Sequence, residues 1–221
     1  MTAVFITSSG TSIGKTLVTL RLVEELRAAG RSAQALKPVA SGFDPAHPEG
    51  SDTALLSRAQ GLDLTEKSLD AVSPWRFAAP LSPDMAASRE RRSIQFDVLV
   101  AYCRAASERR GVTLIEGIGG VMTPLDAEHT VLDWIEALRT PALLVVGSYL
   151  GTLSHSLTAA SALRARGVTI AGVVVSESEE QPVPAAETAA TLARFLAPVP
   201  VRVLPRSAPV PLWPLVEDHL K

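Results

Sequence analysis

One stretch near the start of the chain, SSGTSIGKT at residues 8–16, has the residue types of a phosphate-binding loop. A strand-like run precedes it and a helical pattern begins at Lys15, so backbone N–H groups and a helix N-terminus would face an anion. In such a loop Lys15 would reach the outer phosphates and the Thr16 hydroxyl would hold Mg²⁺. The first glycine of the usual G-x-x-x-x-G-K-[ST] pattern is absent. An accidental Gly-Lys-Thr is the alternative, which the strand–loop–helix context disfavours.

Two polar residues follow the next strand-like run. Lys37 comes directly after residues 33–36, and Pro38 favours extended backbone there. An ammonium at this place can bind a carboxylate or a phosphoryl oxygen, and Ser41 can add a hydroxyl donor. A surface lysine is the alternative, and Lys37 taken alone does not decide between the two interpretations.

Two acidic residues have the chemistry of magnesium ligands. Asp52 stands in the first turn of a helix for which Ser51 is the expected N-cap, and a favourable interaction with the helix dipole is the simpler interpretation of Asp52 alone. Glu116 ends a buried strand, and the glycines that follow it, at 117, 119 and 120, let backbone approach a ligand. Glu116 can hold Mg²⁺ directly or through water, and a purely structural role is the less favoured alternative.

A further candidate lies in residues 145–157, where a strand runs into a glycine-containing loop. Thr152 or Ser154 is expected to cap the helix that follows, and the N-terminus of that helix would be free to bind a carboxylate. Plain capping is the simpler interpretation.

These residues need a scaffold of alternating strands and helices. The β-branched runs typical of strands are Val4–Thr7, Ala33–Leu36, Val112–Ile115, Ala142–Val146, Val168–Val175 and Val201–Leu204. Helical periodicity is clearest at Lys15–Ala29, Ile94–Arg109, Val131–Leu138, Ser154–Arg166 and Ala185–Phe195. The pattern predicts an α/β fold with a doubly wound, mostly parallel sheet flanked by helices, and residues 1–221 are expected to form one domain. A ligand would bind beyond the carboxyl ends of the strands.

The composition excludes several classes of protein. The 221 residues are 47% hydrophobic and 20% charged, with a formal net charge of −2, which offers no electrostatic basis for binding nucleic acid or an anionic membrane. The single cysteine, Cys103, lies in an apolar helical pattern and is expected to be a buried small hydrophobe. No apolar stretch reaches membrane-spanning length and no leader is recognisable, so a cytoplasmic location is expected.

Taken together, these spacings resemble the dethiobiotin synthetases, P-loop enzymes of biotin synthesis, over almost the whole chain. The motifs that carry the resemblance are TSIGKT (11–16), KPVASG (37–42), SDTALL (51–56), PLSP (80–83), EGIGG (116–120) followed by TPL (123–125), and LGTLSH (150–155). In this family the phosphate loop typically reads G-T-D-T-x-V-G-K-T, with five residues between its first glycine and the Gly-Lys-Thr. The chain has Ser8 at that first glycine, Gly10 at the aspartate and Ser12 where some members have glutamate, while Thr11 is retained. We expect Gly10 to restore flexibility near Ser8.

The resemblance implies a P-loop fold and an enzyme that uses ATP and Mg²⁺ to form dethiobiotin from 7,8-diaminononanoate and CO₂. One amine captures CO₂ as a carbamate, a carbamate oxygen takes the γ-phosphoryl group, and the second amine closes the ring. The implied catalytic residues are Lys37, Lys15 and Thr11, and the implied metal ligands are Thr16, Asp52 and Glu116. The implied nucleotide-binding residues are Ser12, Ile13, Gly14, Lys15, Thr16, Leu17, Asp52, Glu116, Gly117, Ile118, Gly119, Ser176, Leu204, Pro205 and Arg206.

The resemblance also implies a homodimer in which the neighbouring subunit holds the carboxylate tail of the substrate. The implied substrate-binding residues are Lys37, Ser41, Leu150, Gly151, Thr152 and Ser154. Relatives commonly read adenine with an asparagine where this chain has Ser176, and the chain contains no asparagine. Because a serine cannot present the paired donor and acceptor of an amide, we expect weaker discrimination among nucleoside triphosphates, although backbone at residues 204–206 can compensate.

Two other functions are compatible with a phosphate loop. A cobyrinate amide-forming synthetase usually has a glutaminase domain with a reactive cysteine, and neither fits in this chain. A switch ATPase of the ParA and MinD type has an additional lysine near the start of its phosphate loop, and often a basic amphipathic helix at its end. Residues 8–13 contain no lysine, and the tail at residues 210–220 is not basic.

Overall fold

A single parallel sheet of six strands forms the centre of the molecule. The computed structural model describes residues 2–208 and 210–220. The strands of this sheet, in chain order, are β1 (Ala3–Ser8), β2 (Ala33–Leu36), β5 (Val112–Glu116), β6 (Ala142–Val146), β7 (Ile170–Ser176) and β8 (Val201–Leu204), while β3 (Val39–Ser41) and β4 (Trp75–Phe77) lie outside it. The spatial order of the six strands is β2-β5-β1-β6-β7-β8. Because β1 pairs with both β5 and β6, the loops after these three strands lie side by side at one edge of the sheet.

The central strands are buried on both faces, as their apolar sequences predict. Successive side chains of β1 alternate between two hydrophobic clusters: Phe5 belongs to one, and Val4 and Ile6 belong to the other. Phe5 packs edge to face against Trp134, with ring centroids 4.8 Å apart. Cys103 contributes to the same cluster as Phe5 and is fully buried, as predicted.

Helices cover both faces of this sheet. They are α1 (Lys15–Ala28), α2 (Asp52–Ala59), α3 (Glu66–Val72), α4 (Pro83–Arg89), α5 (Phe96–Ser107), α6 (Val131–Leu138), α7 (Thr152–Ala165) and α8 (Ala185–Leu196). Short 3₁₀ turns occupy Pro48–Gly50, Trp213–Leu215 and Glu217–Leu220. Buried side chains of α1 and α2 belong to the cluster that contains Val4, whereas those of α5 to α8 belong to the cluster that contains Phe5. The doubly wound α/β prediction is therefore confirmed.

The prediction located the six main strands and five of the helices, with small errors at their ends. α5 is shorter at both ends than the predicted Ile94–Arg109, and α7 begins two residues before the predicted Ser154. The β-branched run predicted as Val168–Val175 becomes a strand only from Ile170, because Val168 N still donates to the Leu163 carbonyl in the turn that ends α7. Helix ends of this kind depend on capping and tertiary contacts, which periodicity does not report.

A second, two-stranded parallel sheet was not predicted. It consists of β3 (Val39–Ser41) and β4 (Trp75–Phe77), and the backbone of Pro38 accepts a hydrogen bond from Trp75 N at 3.0 Å. Each strand has only three residues, too few to show a period of two in the sequence. This small sheet holds the segment from Lys37 to Ser41 beside the carboxyl end of β5.

Among the described residues, no helix has the length and hydrophobicity that crossing a bilayer requires.

Candidate active site

The phosphate-loop segment connects the end of β1 to α1 and forms an open turn of backbone. Ser12 and Gly14 adopt left-handed conformations, with φ of 57° and 95°, and Gly14 is the N-cap of α1 without any side-chain cap. Gly10, which was expected to restore flexibility near Ser8, is not one of the left-handed residues of this loop; those are Ser12 and Gly14. Gly14 must be glycine, since a Cβ there would lie 2.6 Å from the Ser176 Oγ.

Lys15 lies in the first turn of α1 and is only 7% exposed. Its Nζ donates to the Ser8 Oγ at 3.0 Å, to the Gly119 carbonyl at 2.8 Å and, at 3.4 Å, to the Gly10 carbonyl. Burial lowers the pKa of Lys15 to about 8; the charge of Glu116 acts in the opposite direction and that of Lys37 in the same direction. The cation is therefore held by neutral oxygens of the phosphate loop and of the loop after β5.

Lys37 has a different environment. Its Nζ contacts an Asp52 carboxylate oxygen closely and donates to Glu116 Oε1 at 2.9 Å. Burial alone would lower the pKa of Lys37, but the carboxylates of Glu116 and Asp52 raise it above its ordinary value. Lys37 is consequently a buried, permanently charged ammonium at neutral pH, and it projects from the connection between β2 and β3 into the crevice.

Three oxygen-bearing side chains meet beside Lys37, and they fit a magnesium ion. Thr16 Oγ1 donates to Glu116 Oε1 at 2.7 Å, and Asp52 reaches the same cluster through Lys37. Glu116 is fully buried, and its Oε2 has no hydrogen-bond partner among the described residues. Because a buried carboxylate oxygen without a partner is costly, and because Mg²⁺ prefers carboxylate and hydroxyl oxygens, this donor set matches the ion chemically.

These side chains line one cavity of about 380 Å³. Its lining residues are Thr11, Ser12, Ile13, Gly14, Lys15, Thr16, Lys37, Ser41, Asp52, Glu116, Ile118 and Gly119. All the residues implied as catalytic or metal-binding are thus brought together, although they come from four separate segments of the chain. Ser51 caps α2 by accepting a hydrogen bond from Ala54 N at 3.1 Å, which sets Asp52 in the first turn as expected.

A second cavity of about 410 Å³ adjoins the first and shares Ser12, Ile13 and Gly14 with it. Its other lining residues are Leu17, Ser176, Glu177, Ser178, Glu179, Leu204 and Arg206. Gly117 and Pro205, which the resemblance implied as nucleotide-binding, line neither cavity. Gly117 instead lies against Phe5, since a Cβ at Gly117 would be 2.8 Å from that ring. Glu177 also lines the second cavity but was not among the predicted nucleotide-binding residues. Its position directly after the last residue of β7 could have indicated it.

The loop before α7 differs from its prediction. The N-cap of α7 is Gly151, in a left-handed conformation, rather than Thr152 or Ser154. The Thr152 hydroxyl donates instead to the Gly147 carbonyl at 2.8 Å, because Thr152 is already the first residue of the helix. The N-terminus of α7 therefore has no side-chain cap. Leu150 and Gly151 are exposed, with Leu150 at 84%.

Tyr149 and His155, to which sequence reasoning assigned no site role, flank this loop. The Tyr149 hydroxyl and His155 Nδ1 are 2.9 Å apart, and both side chains line a cavity of about 530 Å³ with the Ser9–Ile13 segment. His155 stands one helical turn after Gly151 in the LGTLSH motif, so helical spacing places it on the side of the exposed loop. Thr11 lines both this cavity and the one that contains Lys37.

A parallel α/β sheet with a lysine-bearing loop between its first strand and first helix defines the class of P-loop nucleotide-binding proteins. Solved structures of similar fold agree. They include the septum site-determining protein MinD with Mg-ADP from Pyrococcus horikoshii (TM-score 0.52, 18% identity, 99% of this chain and 84% of that chain) and apo McdA from Cyanthece (TM-score 0.56, 12% identity, 94% and 86%). At these identities the likeness concerns the fold alone.

The sequence comparisons are more specific. Residues 2–216 match the family model described as an AAA domain. The ATP-dependent dethiobiotin synthetase of Acidiphilium cryptum is 50% identical over 202 residues, which cover 90% of this chain and 91% of that protein. The synthetase of Methylobacterium nodulans is 50% identical over 210 residues, which cover 92% of each chain. The chain belongs to the family of ATP-dependent dethiobiotin synthetases, which are enzymes of biotin synthesis.

Proposed function

We propose that this protein closes the cyclic urea of dethiobiotin from 7,8-diaminononanoate, CO₂ and ATP. The observation that carries the proposal is the convergence of Lys15, Lys37, Thr16, Asp52 and Glu116 on a single cavity at the carboxyl ends of the strands. The family of the chain supports the same reaction. Two ammonium groups and two carboxylates in one crevice suit a reaction whose intermediates are more anionic than its diamine substrate.

The reaction has three steps. One amine of the diamine attacks CO₂ and loses a proton, which gives a carbamate. A carbamate oxygen then attacks the γ-phosphorus of ATP and displaces ADP, which gives a carbamoyl phosphate mixed anhydride. The second amine attacks the carbonyl carbon and loses a proton, phosphate leaves with the electron pair of the broken C–O bond, and the ring is closed.

Each cationic residue has a separate role in these steps. Lys37, whose charge is secured by Glu116 and Asp52, holds the carbamate and neutralises it. Lys15 follows the transferred phosphoryl group, assisted by the uncapped N-terminus of α1. Thr11 and Ser41 add hydrogen bonds at the substrate end of the cavity. Positioning and charge stabilisation, rather than a general base, account for most of the catalysis expected here.

Thr16, Asp52 and Glu116 would hold Mg²⁺. The ion, when bound, neutralises charge on the phosphates of ATP. The adenine would occupy the cavity lined by Ser176 and Leu204, because that cavity continues from the phosphate loop. The carboxylate tail of the diamine would be held near residues 150–154 of the neighbouring subunit in a homodimer, where the N-terminus of α7 has no side-chain cap. A cytoplasmic location remains a prediction.

The test is magnesium-dependent phosphate release from ATP, with and without 7,8-diaminononanoate and bicarbonate, followed by mass spectrometry of the product. We expect release to require the diamine and to be accompanied by the cyclic urea. Hydrolysis that proceeds equally without the diamine would contradict the proposal and favour the switch-ATPase alternative. No turnover with any of these substrates would contradict the proposal as well.

A further inference from the structure

Ser8 is the residue in which this phosphate loop departs most directly from the usual glycine. It is the last residue of β1, and its side chain is fully buried beneath the loop. Its Oγ lies 3.0 Å from Lys15 Nζ, 2.8 Å from the Gly119 carbonyl oxygen and 2.5 Å from the Gly10 carbonyl oxygen. A hydroxyl has one proton to donate and can also accept, so Ser8 accepts from the ammonium while it donates to one of the carbonyls.

The ammonium of Lys15 is thereby fully satisfied by oxygens of the chain itself. It has three protons, and three neutral oxygens of the chain receive them: the Ser8 Oγ and the carbonyls of Gly119 and Gly10. A phosphate that approaches Lys15 must displace at least one of these acceptors. A glycine at position 8 would provide only backbone, so the hydroxyl stabilises this arrangement of Lys15 more than the usual loop would.

The position of Ser8 also links two loops of the site. Its backbone carbonyl accepts from Val121 N at 3.0 Å, in the segment that follows β5. That segment packs tightly on the phosphate loop, since a Cβ at Gly120 would lie 3.1 Å from Gly10 N. The anchoring oxygens are therefore fixed in place, and Lys15 itself has to move for the contacts to be exchanged.

We propose that Ser8 is a positioning residue that holds Lys15 in a resting position and thereby lowers the affinity of the protein for its nucleotide. The inference rests on the proposed nucleotide-binding function of this loop. Its physical basis is a difference between two states: the hydroxyl stabilises the free protein, whereas phosphate oxygens replace it as the acceptor for Lys15 in the complex. Removing the hydroxyl therefore destabilises the free state alone and makes binding tighter.

The test is titration calorimetry with the magnesium complex of a non-hydrolysable ATP analogue, without diamine. We expect Ser8→Ala and Ser8→Gly to lower the Kd by about three- to tenfold, the size expected for one lost hydrogen bond to a charged group that is partly compensated by rearrangement. Ser107→Ala is the matched control, because Ser107 is a buried serine on α5 whose Oγ donates to the Cys103 carbonyl at 2.8 Å and which lines neither site cavity; the Kd of this variant should stay within about twofold of the wild type. Thermal melting verifies that each variant is folded. If Ser8→Ala does not fold, Ser8→Gly, which introduces the usual residue of this loop, replaces it in the titration.

A double-mutant cycle separates this mechanism from a general effect on the loop. In a Lys15→Ala background, Ser8→Ala should no longer tighten binding, since the hydroxyl acts through the ammonium. An unchanged or weaker affinity of Ser8→Ala, or the same gain in both backgrounds, would overturn the inference. A fall in kcat of more than about tenfold with an unchanged KM for ATP would do so too, because it would mean that the hydroxyl supports the transition state. Failure of the proposed reaction would be seen differently, as nucleotide binding without formation of the cyclic urea.

Discussion

At the residue scale, the two lysines of the site differ in what surrounds them. Lys15 is held by neutral oxygens and its pKa is lowered to about 8, mainly by burial, whereas Lys37 lies between two carboxylates and its pKa is raised. The group that would follow the phosphoryl group is therefore paired with neutral oxygens, whereas Lys37 is paired with two carboxylates. Lys37, in contrast, is fixed in position and charge, which suits it to hold an anionic intermediate in one geometry.

Replacing Lys37 should abolish most of the activity. We expect Lys37→Ala to lower kcat about 10²- to 10⁴-fold, because the carbamate loses its charge partner and two carboxylates are left close together without the ammonium. Formation of the cyclic urea, measured by mass spectrometry at saturating ATP, is the readout. Lys67→Ala is the matched control, since Lys67 is exposed on α3. An unchanged kcat for Lys37→Ala would remove Lys37 from the mechanism.

Nucleotide preference depends on the residues that line the cavity assigned to the base. Ser176 is only 8% exposed, and the carboxylate of Glu177 accepts hydrogen bonds from Arg206 N at 2.8 Å and from the Gln181 side chain at 3.0 Å. Neither Ser176 nor Glu177 offers the adjacent donor and acceptor that an asparagine amide would present to the base. We therefore expect the kcat/KM values for ATP, GTP and CTP to agree within about tenfold, because no side chain here supplies the base contact that would discriminate among them. A preference for ATP above about a hundredfold would show that backbone at residues 204–206 reads the adenine.

At the element scale, the start of α6 is stabilised by one carboxylate that also joins α6 to the end of α7. Asp133 accepts from the backbone N–H and the hydroxyl of Thr130, both at 2.7 Å, and from the Arg166 guanidinium at 2.7 Å. Partial burial acts to raise the pKa of Asp133, but the hydrogen bonds from Thr130 and Arg166 outweigh it and lower the pKa to about 2. Arg166 also binds Glu136, so two adjacent turns of α6 are held to α7 by the same residue.

Asp133→Asn should destabilise the protein in a way that depends on pH. The folded-state pKa of Asp133 lies below its ordinary value of 3.8, so its ionised form contributes stability that is present above that value and declines as the pH falls toward about 2. We expect a loss of about 1–2 kcal/mol at pH 7, typical of an N-terminal cap, and a smaller difference at pH 3. Urea unfolding followed by circular dichroism at both pH values measures it. Asp97→Asn, at an exposed acid in the first turn of α5, should change stability by less than about 0.5 kcal/mol at either pH.

At the scale of the whole molecule, several apolar side chains are exposed near the candidate site at the carboxyl ends of the strands. Leu150 is 84% exposed and Met122 is 59% exposed, and Leu153 in the first turn of α7 is 37% exposed. Met122 lines a cavity of about 470 Å³ together with His155 and Thr11. Apolar surface of this kind beside a ligand site is typical of a protein interface, which agrees with the expected homodimer.

Leu150→Asp should therefore weaken both the dimer and the binding of the diamine. We expect light scattering after gel filtration to show a dimer for the wild type at micromolar concentration and a larger monomer fraction for the variant. The KM for the diamine should rise at least about tenfold while the affinity for magnesium nucleotide stays constant, since a buried charge at an interface is costly. Phe195→Asp is the control: Phe195 is 62% exposed at the end of α8 and should affect neither quantity. A monomeric wild type with full activity would contradict the dimer.

Much of this architecture follows from local patterns. Strands such as Ala142–Val146, which is buried throughout, have nearly continuous apolar sequences, and α6 runs over the predicted Val131–Leu138. The phosphate loop was recognisable because its three chemical requirements, an anion-facing backbone, a lysine and a hydroxyl, stand next to one another in the sequence. Lys37 and Glu116 were recognisable as candidates because one directly follows a strand and the other ends one, and Asp52 because it stands in the first turn of a helix.

The sequence by itself therefore determined the fold class, the family and most of the candidate residues, because these depend on short-range periodicity and on motifs. Only the tertiary structure decided that Lys37 lies between Asp52 and Glu116, that Glu116 Oε2 is left without a partner and that Ser8 holds Lys15. These contacts join residues up to 79 positions apart for Lys37 and 104 for Lys15. They arise from the order of the strands in the sheet and from the packing of the loops beyond it, neither of which local periodicity specifies.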